Sequence, residues 1–456
     1  MQKTALTKAV ALALLAVGTG SAFAQSSLTL YGNIDAALDS VHKSQGNING
    51  SLFQVLPQVV AANGGSPTAT STATGAALAK GYNSAYADKS TVTRLTSSIS
   101  SVNAIGVKGV EDLGEGLKAS FVLEGQFQID NGAQSGQDSR MWGRQAYVGL
   151  TTPAGEVRLG RQYAPMFYAF AFATVEALGG ADLQGAGLVV NNLQVRQDNQ
   201  LSYWLKLGGL TGALSYSPNA GVDAHISSNR GQVAGAATGQ IVGGQTAGNE
   251  ATGTGNRGQS FGAFANYQVS PDLMFNASYH GNKFGNADLL VGATGTLLYK
   301  LDKYSAYSLG GKFTVPDAGT QLSAIYHTGK FTMDSGTDIK VNTLALGAKH
   351  PIDKFAVGAQ YAVSKFANFT KGKDTSLMLI GDYNFSKRTK LYVRAGYVKD
   401  DRGDLVNTET AGLQLAGGPL PLLTGLGALE TPFFSAGGAN IDATTRVVAI
   451  GIRHTF

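Results

Sequence analysis

The sequence predicts an all-β protein, a transmembrane antiparallel barrel of sixteen strands, and three observations support this fold class. Apolar and polar residues alternate with a period of two through most of the chain. Tight turns rich in Pro, Gly, Asp and Ser alternate with longer connections. Gly contributes 61 of 456 residues and only 14% of residues are charged, against about 25% in typical domains. Much of the surface is therefore expected to face something other than bulk water.

The first residues contain the three parts of an export signal. Two lysines precede the apolar run ALALLAV, and the small-residue sequence AFA ends at Ala24. The apolar run is shorter than the roughly 20 residues that a membrane anchor needs. We expect residues 1–24 to be a signal peptide, cleaved after Ala24, and residues 25–456 to be the barrel domain. Loss of the two lysines would lower the formal net charge from +5 to +3.

The alternation gives each predicted strand one apolar face and one polar face. In LTLYGNIDAAL, Leu28 and Leu30 lie on the apolar face, whereas Tyr31 and Asp35 lie on the other. The segments LKASFVLEGQF, LMFNASYH, KFAVGAQYAVS and KLYVRAGYV follow the same pattern. The polar faces combine Gly, Ala and Ser with charged residues, which suits a water-filled lumen better than a packed core. No apolar stretch after residue 24 is long enough for a membrane-spanning helix, so a spanning chain must be a barrel.

Seven tight turns and eight longer connections give the strand count of sixteen. The turns are DLGEG (112–116), TPAGE (152–156), LGG (207–209), SPD (270–272), PDAG (316–319), PIDK (351–354) and SKR (386–388). Three of the longer connections are low in complexity, and they cover roughly residues 40–92, 218–258 and 400–442. Short turns at one end and long loops at the other are typical of an outer-membrane barrel, whose turns face the periplasm. The final strand, VVAIGIRHTF, must pair with the first, because lipid cannot satisfy an open sheet edge.

Several segments resemble the general porins of Gram-negative bacteria, especially the β-proteobacterial branch. These segments are SSLTLYGNIDAAL, IGVKGVEDLGEGLKASFVLEGQF, RQAYVGLTTPAGEVRLGRQYAP, RQDNQLSYW and the terminal GIRHTF. The resemblance implies a homotrimer of sixteen-stranded barrels in the outer membrane, in contact with lipid and lipopolysaccharide. It also implies that a third loop, roughly Ala164 to Asn199, folds into each pore. Phe456 resembles the terminal residue that the barrel-assembly machinery reads in this family.

The resemblance further implies a narrow zone in which arginines on the wall face carboxylates on the third loop. Such a zone sets up a strong field across the water path, because the barrel wall has a low dielectric constant. Arg144 in RQAYVGL and Arg196 in RQDNQLSYW match the basic wall positions, and Arg161 in GRQY is a third candidate. Glu176 and Asp182 are the candidate carboxylates of the loop.

Strand alternation alone adds other candidate charges to the lumen. These charges belong to Asp35, Lys108, Glu124 and Arg394. One expected basic residue is missing, because Ala104 stands where the family usually has an arginine, and Arg94 is a candidate replacement. Each lumen charge could instead be an ordinary solvated wall residue. The two loop acids could also form structural ion pairs.

The function expected from these features is passive diffusion of ions and small hydrophilic solutes, with no catalysis, no cofactor and no nucleic-acid partner. A barrel enzyme is the first alternative, but no local motif supports it, and the six histidines lack metal-ligand spacing. A channel specific for sugars or organic anions is the second, since the aromatic residues of the third loop could form a slide for solutes or could anchor the loop. Those residues are Phe167, Tyr168, Phe170 and Phe172. Adhesion by the long loops would be an additional role.

Overall fold

The computed structural model describes residues 26–44, 89–135, 140–175, 196–218, 259–288, 300–333, 338–368, 372–400 and 444–456. These residues form one closed antiparallel barrel of sixteen strands, which confirms the predicted fold class. Among them, no helix is both long enough and apolar enough to cross a membrane. The predicted signal peptide and nearly all of the three low-complexity connections lie outside the described residues.

The strands run from end to end of the barrel in chain order. They are β1 (Ser27–Lys43), β2 in two segments (Ser90–Ser97 and Ala104–Gly114), β3 (Leu117–Phe127), β4 (Gln145–Thr152), β5 (Gly155–Tyr163), β6 (Arg196–Leu207), β7 (Leu210–Ser217), β8 (Ser260–Ser270), β9 (Leu273–Asp288), β10 (Lys300–Thr314), β11 (Gln321–Met333), β12 (Asp338–Ile352), β13 (Phe355–Asn368), β14 (Gly372–Asn384), β15 (Thr389–Asp400) and β16 (Thr444–Thr455). A two-residue strand, Gln134–Ser135, pairs with the end of β3. The helix α1 (Pro165–Phe172) follows β5.

The connections confirm the predicted turns and correct the predicted loops in two places. All seven tight turns join successive strands at one end of the barrel. At the other end, the bounds of β11 and β12 leave four residues between these strands, and those of β13 and β14 leave three, fewer than the longer connections expected there. The flanking strands β11 to β14 have 13 to 15 residues, more than the roughly 9–11 that cross a bilayer. These strands therefore include residues that the prediction assigned to loops.

The first and last strands close the barrel, as predicted. β1 pairs with β16 on one edge, in a register that reaches Asn33↔Thr455, and with both segments of β2 on the other edge. Phe456 extends this ladder, because its N–H donates to the Gly32 carbonyl at 3.1 Å and its carbonyl accepts the Gly32 N–H at 3.2 Å. The Phe456 ring covers Gly32, where an added Cβ would collide with the ring atom Cζ. An added Cβ would also lie 2.7 Å from the Ala104 carbonyl oxygen, so a larger residue here would force a shift of the backbone as well as of the ring.

The exposure of side chains follows the predicted alternation. In β16, the outward residues Val448 and Ile450 are 59% and 55% exposed, whereas Val447 and Ala449 are buried. Large apolar side chains are exposed in the same way on the other strands. Soluble monomers rarely expose so large a continuous apolar surface, and contact with lipid requires one. The outer face of the barrel is therefore a lipid-facing surface.

β2 is interrupted by residues 98–103, which leave the sheet and turn into the lumen. The ladder with β1 stops at Ser97 and resumes at Ala104. The Asp35 carboxylate, on the inner face of β1, accepts three consecutive backbone N–H groups. These groups belong to Ile99, Ser100 and Ser101, at 3.3, 3.0 and 2.8 Å. Because these amides have lost their ladder partners, the carboxylate satisfies donors that would otherwise be orphaned.

Helix α1 lies inside the barrel against the inner wall of β7 to β10. Pro165 occupies its first turn, where a missing N–H removes no helical hydrogen bond. The side-chain amide of Asn276 on β9 donates to the Ala169 carbonyl at 3.0 Å. Gly310 leaves space for the chain after the helix, since an added Cβ would lie 2.6 Å from the Cβ of Ala173. The predicted inward fold of the third loop is confirmed for its described part.

Candidate pore constriction

Three predicted basic residues lie at the loop ends of β4, β5 and β6, beside the start of α1. Two of them, Arg144 and Arg196, donate to the hydroxyl oxygen of Tyr163 at 2.6 and 3.2 Å. Both guanidinium groups also lie over the Tyr163 ring, 5.9 and 4.8 Å from its centroid. The two donor nitrogens are therefore no further apart than the sum of the hydrogen-bond lengths, 5.8 Å. Two positive charges are concentrated at one point of the inner wall.

Glu124 on β3 is the acidic partner of Arg144. The Nε atom of Arg144 forms an ion pair with the Glu124 carboxylate, and both side chains are largely buried. The Tyr31 hydroxyl donates to the second carboxylate oxygen at 2.8 Å. The Nζ atom of Lys108 lies 5.2 Å from the centroid of the Tyr31 ring. The structure thus places Glu124 and Lys108 on the inner face, next to the arginines.

Asp198 on β6 joins the third predicted arginine to one that the sequence analysis missed. Arg161 forms an ion pair with the Asp198 carboxylate and donates to the Gly143 carbonyl at 2.8 Å. Arg140, in the connection between β3 and β4, binds the same carboxylate at 2.7 Å. Arg140 precedes the first residue of β4 by five positions, so strand alternation gave no signal for it.

Arg158 on β5 is a fifth arginine on this part of the wall, and it was not predicted from the sequence. Its guanidinium group lies 2.7 Å from the Glu156 carboxylate and 4.8 Å from the centroid of the Trp204 ring. A sequence signal was present, because Glu156 and Arg158 are two residues apart in β5 and so lie on the same face of the strand. Among the described residues, this wall therefore holds five arginines and three carboxylates. The arginines are Arg140, Arg144, Arg158, Arg161 and Arg196, and the carboxylates belong to Glu124, Glu156 and Asp198.

The carboxylates predicted on the third loop are not among these partners. Glu176 and Asp182 lie outside the described residues, so their role stays a prediction. The loop is also shorter than its expected extent to Asn199, because β6 begins at Arg196. Arg196 pairs with Tyr163 in the ladder between β5 and β6. The strand therefore includes the polar sequence RQDN, which resembles a loop when read alone.

The predicted aromatic residues of α1 contact the barrel wall. The ring centroids of Tyr168 and Trp204 are 4.9 Å apart. Phe167 and Phe170 are buried, and Phe172 is 40% exposed. Aromatic pairs at such distances contribute about 0.5–1.5 kcal/mol beyond the area they bury. These contacts favour a role in anchoring the loop over a role as a slide for solutes.

Asp35 and Arg394 lie on the inner face, but the structure does not bring them to the arginine-rich wall. Asp35 holds the excursion of β2 and accepts the Tyr392 hydroxyl at 2.5 Å. Arg394 is fully buried, and it forms an ion pair with Asp382 at 2.8 Å. It also donates to the Val393 carbonyl at 2.9 Å. Both charges therefore make extensive structural hydrogen bonds.

Arg94 does not occupy the space near Ala104. Arg94 lies in the first segment of β2 and forms an ion pair with Asp39 on β1 at 3.2 Å. Ala104 begins the second segment and is buried on the inner face. In the ladder with β1, Arg94 pairs with Asp39 and Ala104 pairs with Asn33, so the two positions lie six residues apart along that strand.

A second charged cluster lies on the other side of the barrel and was missed in the sequence. Lys349 on β12 and Lys390 on β15 both bind the Asp382 carboxylate on β14 at 2.9 Å, together with Arg394. A signal was present, because Lys390 and Arg394 share one face of β15. Their common partner comes from a different strand, and the register between strands was needed to find it.

Comparisons with known proteins agree with this architecture. A family model described as Gram-negative porin matches residues 11–403. The chain is similar to outer membrane porin protein 32 of Delftia acidovorans, with 27% identity over 454 residues that cover 98% of this chain and 99% of that protein. It is also similar to an outer membrane porin protein of Bordetella pertussis, with 33% identity over 212 residues, 44% of each protein.

Solved structures show the same fold. The anion-selective porin from Comamonas acidovorans superposes with a TM-score of 0.61 and 23% identity, and the match covers 95% of this chain and 100% of that one. The trimer form of OmpT, an outer membrane protein of Vibrio cholerae, gives a TM-score of 0.56 and 13% identity over 94% and 99% of the two chains. Because the family model covers most of the sequence and the barrel has the matching fold, this chain belongs to the Gram-negative porin family, whose members are outer-membrane channels.

Proposed function

We propose that this porin is a general diffusion channel, that it passes ions and small hydrophilic solutes, and that it favours anions. The observation that carries the proposal is the convergence of five arginines with three carboxylates on the wall formed by β3 to β6. The Tyr163 hydroxyl holds Arg144 and Arg196 together at this wall. This arginine-rich wall therefore carries more positive than negative charge.

The position of this charge supports a role in selectivity. The arginine-rich wall lies beside the first residues of α1, where the third loop enters the lumen. Ions that pass there are close to a wall of low dielectric constant, so fixed charges act on them more strongly than in bulk water. Excess positive charge raises the local concentration of anions and lowers that of cations.

The relatives support the same direction. The solved structure from Comamonas acidovorans is described as an anion-selective porin. General rather than specific transport is favoured by the contacts of α1, since its aromatic residues pack against the wall. We include the homotrimer, cleavage after Ala24 and the reading of Phe456 by the assembly machinery in the proposal. The trimer form of the Vibrio cholerae relative supports the first of these.

Single-channel recording in a planar bilayer tests the proposal. Purified protein should give large conductance steps that close in thirds, and the current should rise in proportion to salt concentration without saturating. Under a KCl gradient, the reversal potential should have the sign of chloride permeation. Saturating currents, with block by a single class of sugar or organic anion, would show a substrate-specific channel instead. A reversal potential of the opposite sign would refute the anion preference.

A further inference from the structure

The second charged cluster has a compact and unusual arrangement. We call it the turn-side cluster, and it consists of Lys349, Asp382, Lys390 and Arg394. The two lysine Nζ atoms lie 2.9 Å from the same carboxylate oxygen, Oδ2 of Asp382. Arg394 lies 2.8 Å from the other oxygen, Oδ1. Three cationic groups from β12 and β15 thus converge on one carboxylate of β14.

The shared oxygen fixes the spacing of the two ammonium groups. They are no further apart than the sum of their distances to Oδ2, 5.8 Å. Two like charges at this distance repel each other strongly wherever the surroundings are poorer in water than bulk solvent. An ammonium group has three N–H donors, and a tetrahedral oxyanion is wide enough to accept from two such groups. A doubly charged anion would also gain about twice the attraction that chloride gains.

The cluster lies at the turn end of the barrel. Lys349 is close to the turn between β12 and β13, and Lys390 is the second residue of β15. The side chain of Lys349 is 18% exposed and that of Lys390 is 10% exposed, so Lys349 is the more accessible of the two lysines. Arg453 on β16 is in register with Lys390 and lies on the same inner face. The turns of an outer-membrane barrel face the periplasm.

The turn-side cluster is separate from the arginine-rich wall. The arginine-rich wall belongs to β3 to β6, and all of its arginines except Arg158 lie at the loop ends of these strands or in the connection before β4. The turn-side cluster belongs to β12, β14 and β15, and β16, β1 and β2 stand between the two groups in the sheet. An anion that binds at one site therefore does not contact the residues of the other site.

We propose that the turn-side cluster binds doubly charged oxyanions at the periplasmic end of the pore. Inorganic sulfate and hydrogen phosphate represent this class of ligand, because each presents several oxygens and two negative charges. Lys349 and Lys390 bind the anion, and Asp382 and Arg394 hold the two lysines in position. The inference rests on the proposed diffusion pore, but it does not depend on the arginines of the constriction.

Block of chloride current by sulfate tests this site. The chain contains no cysteine, so a Lys387→Cys reporter in the exposed turn between β14 and β15 can be labelled to show which compartment faces the turns. Sodium sulfate is then added to one compartment at a time. We expect half-block at a lower concentration from the turn side than from the loop side. The double variant Lys349→Gln with Lys390→Gln should raise the turn-side half-blocking concentration about tenfold, since two nearby charges are lost.

Matched variants separate the site from general effects of charge. Lys206→Gln removes an exposed lysine near the turn end of β6, and it should leave the turn-side block unchanged. Each single lysine variant should raise the turn-side half-blocking concentration by an intermediate amount. Because two cations still pair with Asp382 in each of these variants, the fold should be preserved. Arg144→Gln with Arg196→Gln should change the reversal potential yet keep the difference between the two sides. Equal block from both sides, or unchanged block in both single lysine variants, would refute the site without touching the proposed pore.

Discussion

Removal of Arg144 and Arg196 gives the most direct measure of the constriction, and its size can be calculated. The two guanidinium groups share the Tyr163 hydroxyl, so a passing ion meets both at nearly one distance. At about 6 Å and with the dielectric constant of bulk water, which sets a lower limit beside a low-dielectric wall, a unit charge contributes about 0.7 kcal/mol. Screening at 0.1 M salt, where the Debye length is about 10 Å, reduces this to about 0.4 kcal/mol.

The combined effect on selectivity is larger than that of one charge on one ion. Loss of both arginines disfavours chloride by about 0.8 kcal/mol and favours potassium by the same amount. The permeability ratio of chloride to potassium should therefore fall about tenfold at 0.1 M. At 1 M the Debye length is about 3 Å, and the same change should be only about twofold.

Reversal potentials of the double variant Arg144→Gln with Arg196→Gln, measured in KCl gradients at both ionic strengths, check this calculation. Arg388→Gln is the control, since it removes an exposed arginine in the turn between β14 and β15. That variant should keep the selectivity of the unaltered protein. A double variant with the same permeability ratio as the control would show that these arginines are structural. A change of equal size at both salt concentrations would show that it does not arise from a screened field.

Three further predictions concern the fold. Gly310→Val should push α1 away from the wall, because an added Cβ lies 2.6 Å from that of Ala173; we expect a lower single-channel conductance and a loss of about 1–3 kcal/mol of stability. Asp35→Ala should destabilise the barrel by about 3 kcal/mol or more, since three backbone amides, two of them buried, lose their acceptor; urea unfolding measures the loss. Gly32→Val should displace the ring of Phe456, and refolding into detergent should be slower.

One control serves both glycine variants. Gly381→Val adds a side chain where the nearest atom is 3.9 Å from the added Cβ, and it should fold and conduct normally. Equal damage in this control would show that the loss comes from valine itself and not from the contacts described. For Asp35, unfolding at the same urea concentration as the unaltered protein would contradict the role of the carboxylate in holding residues 98–103.

The sequence predicted the barrel well because each strand separates two environments. A residue such as Ile450 faces lipid and its neighbour Ala449 faces the lumen. The two faces therefore carry different residue types, and their alternation with a period of two can be recognised in the sequence. Turn chemistry located the seven tight turns for a similar reason, because each turn depends on adjacent residues. Both features are local, and local features can be read without knowing which strands pair.

The site was predicted less completely because its contacts join distant strands. Arg144 and Arg196 were found through family motifs, but Asp198 and Arg140 meet only after the connection between β3 and β4 has folded. The turn-side cluster depends on the register between β12 and β15, with Asp382 from β14 between them. The break in β2 was not predicted either, because the polar sequence SISSVN does not reveal that Asp35 will capture its amides.

That break has a practical consequence. Residues 98–103 depart from the wall on the lumen side, while the β2 segments before and after them stay paired with β1, and the second segment also pairs with β3. A peptide grafted into residues 98–103 would be tethered at both ends on the lumen side and would add nothing to the surface that lipid covers. Its binding to an analyte would be recorded as a change in current. The excursion is a natural attachment point for building a molecular sensor from this pore.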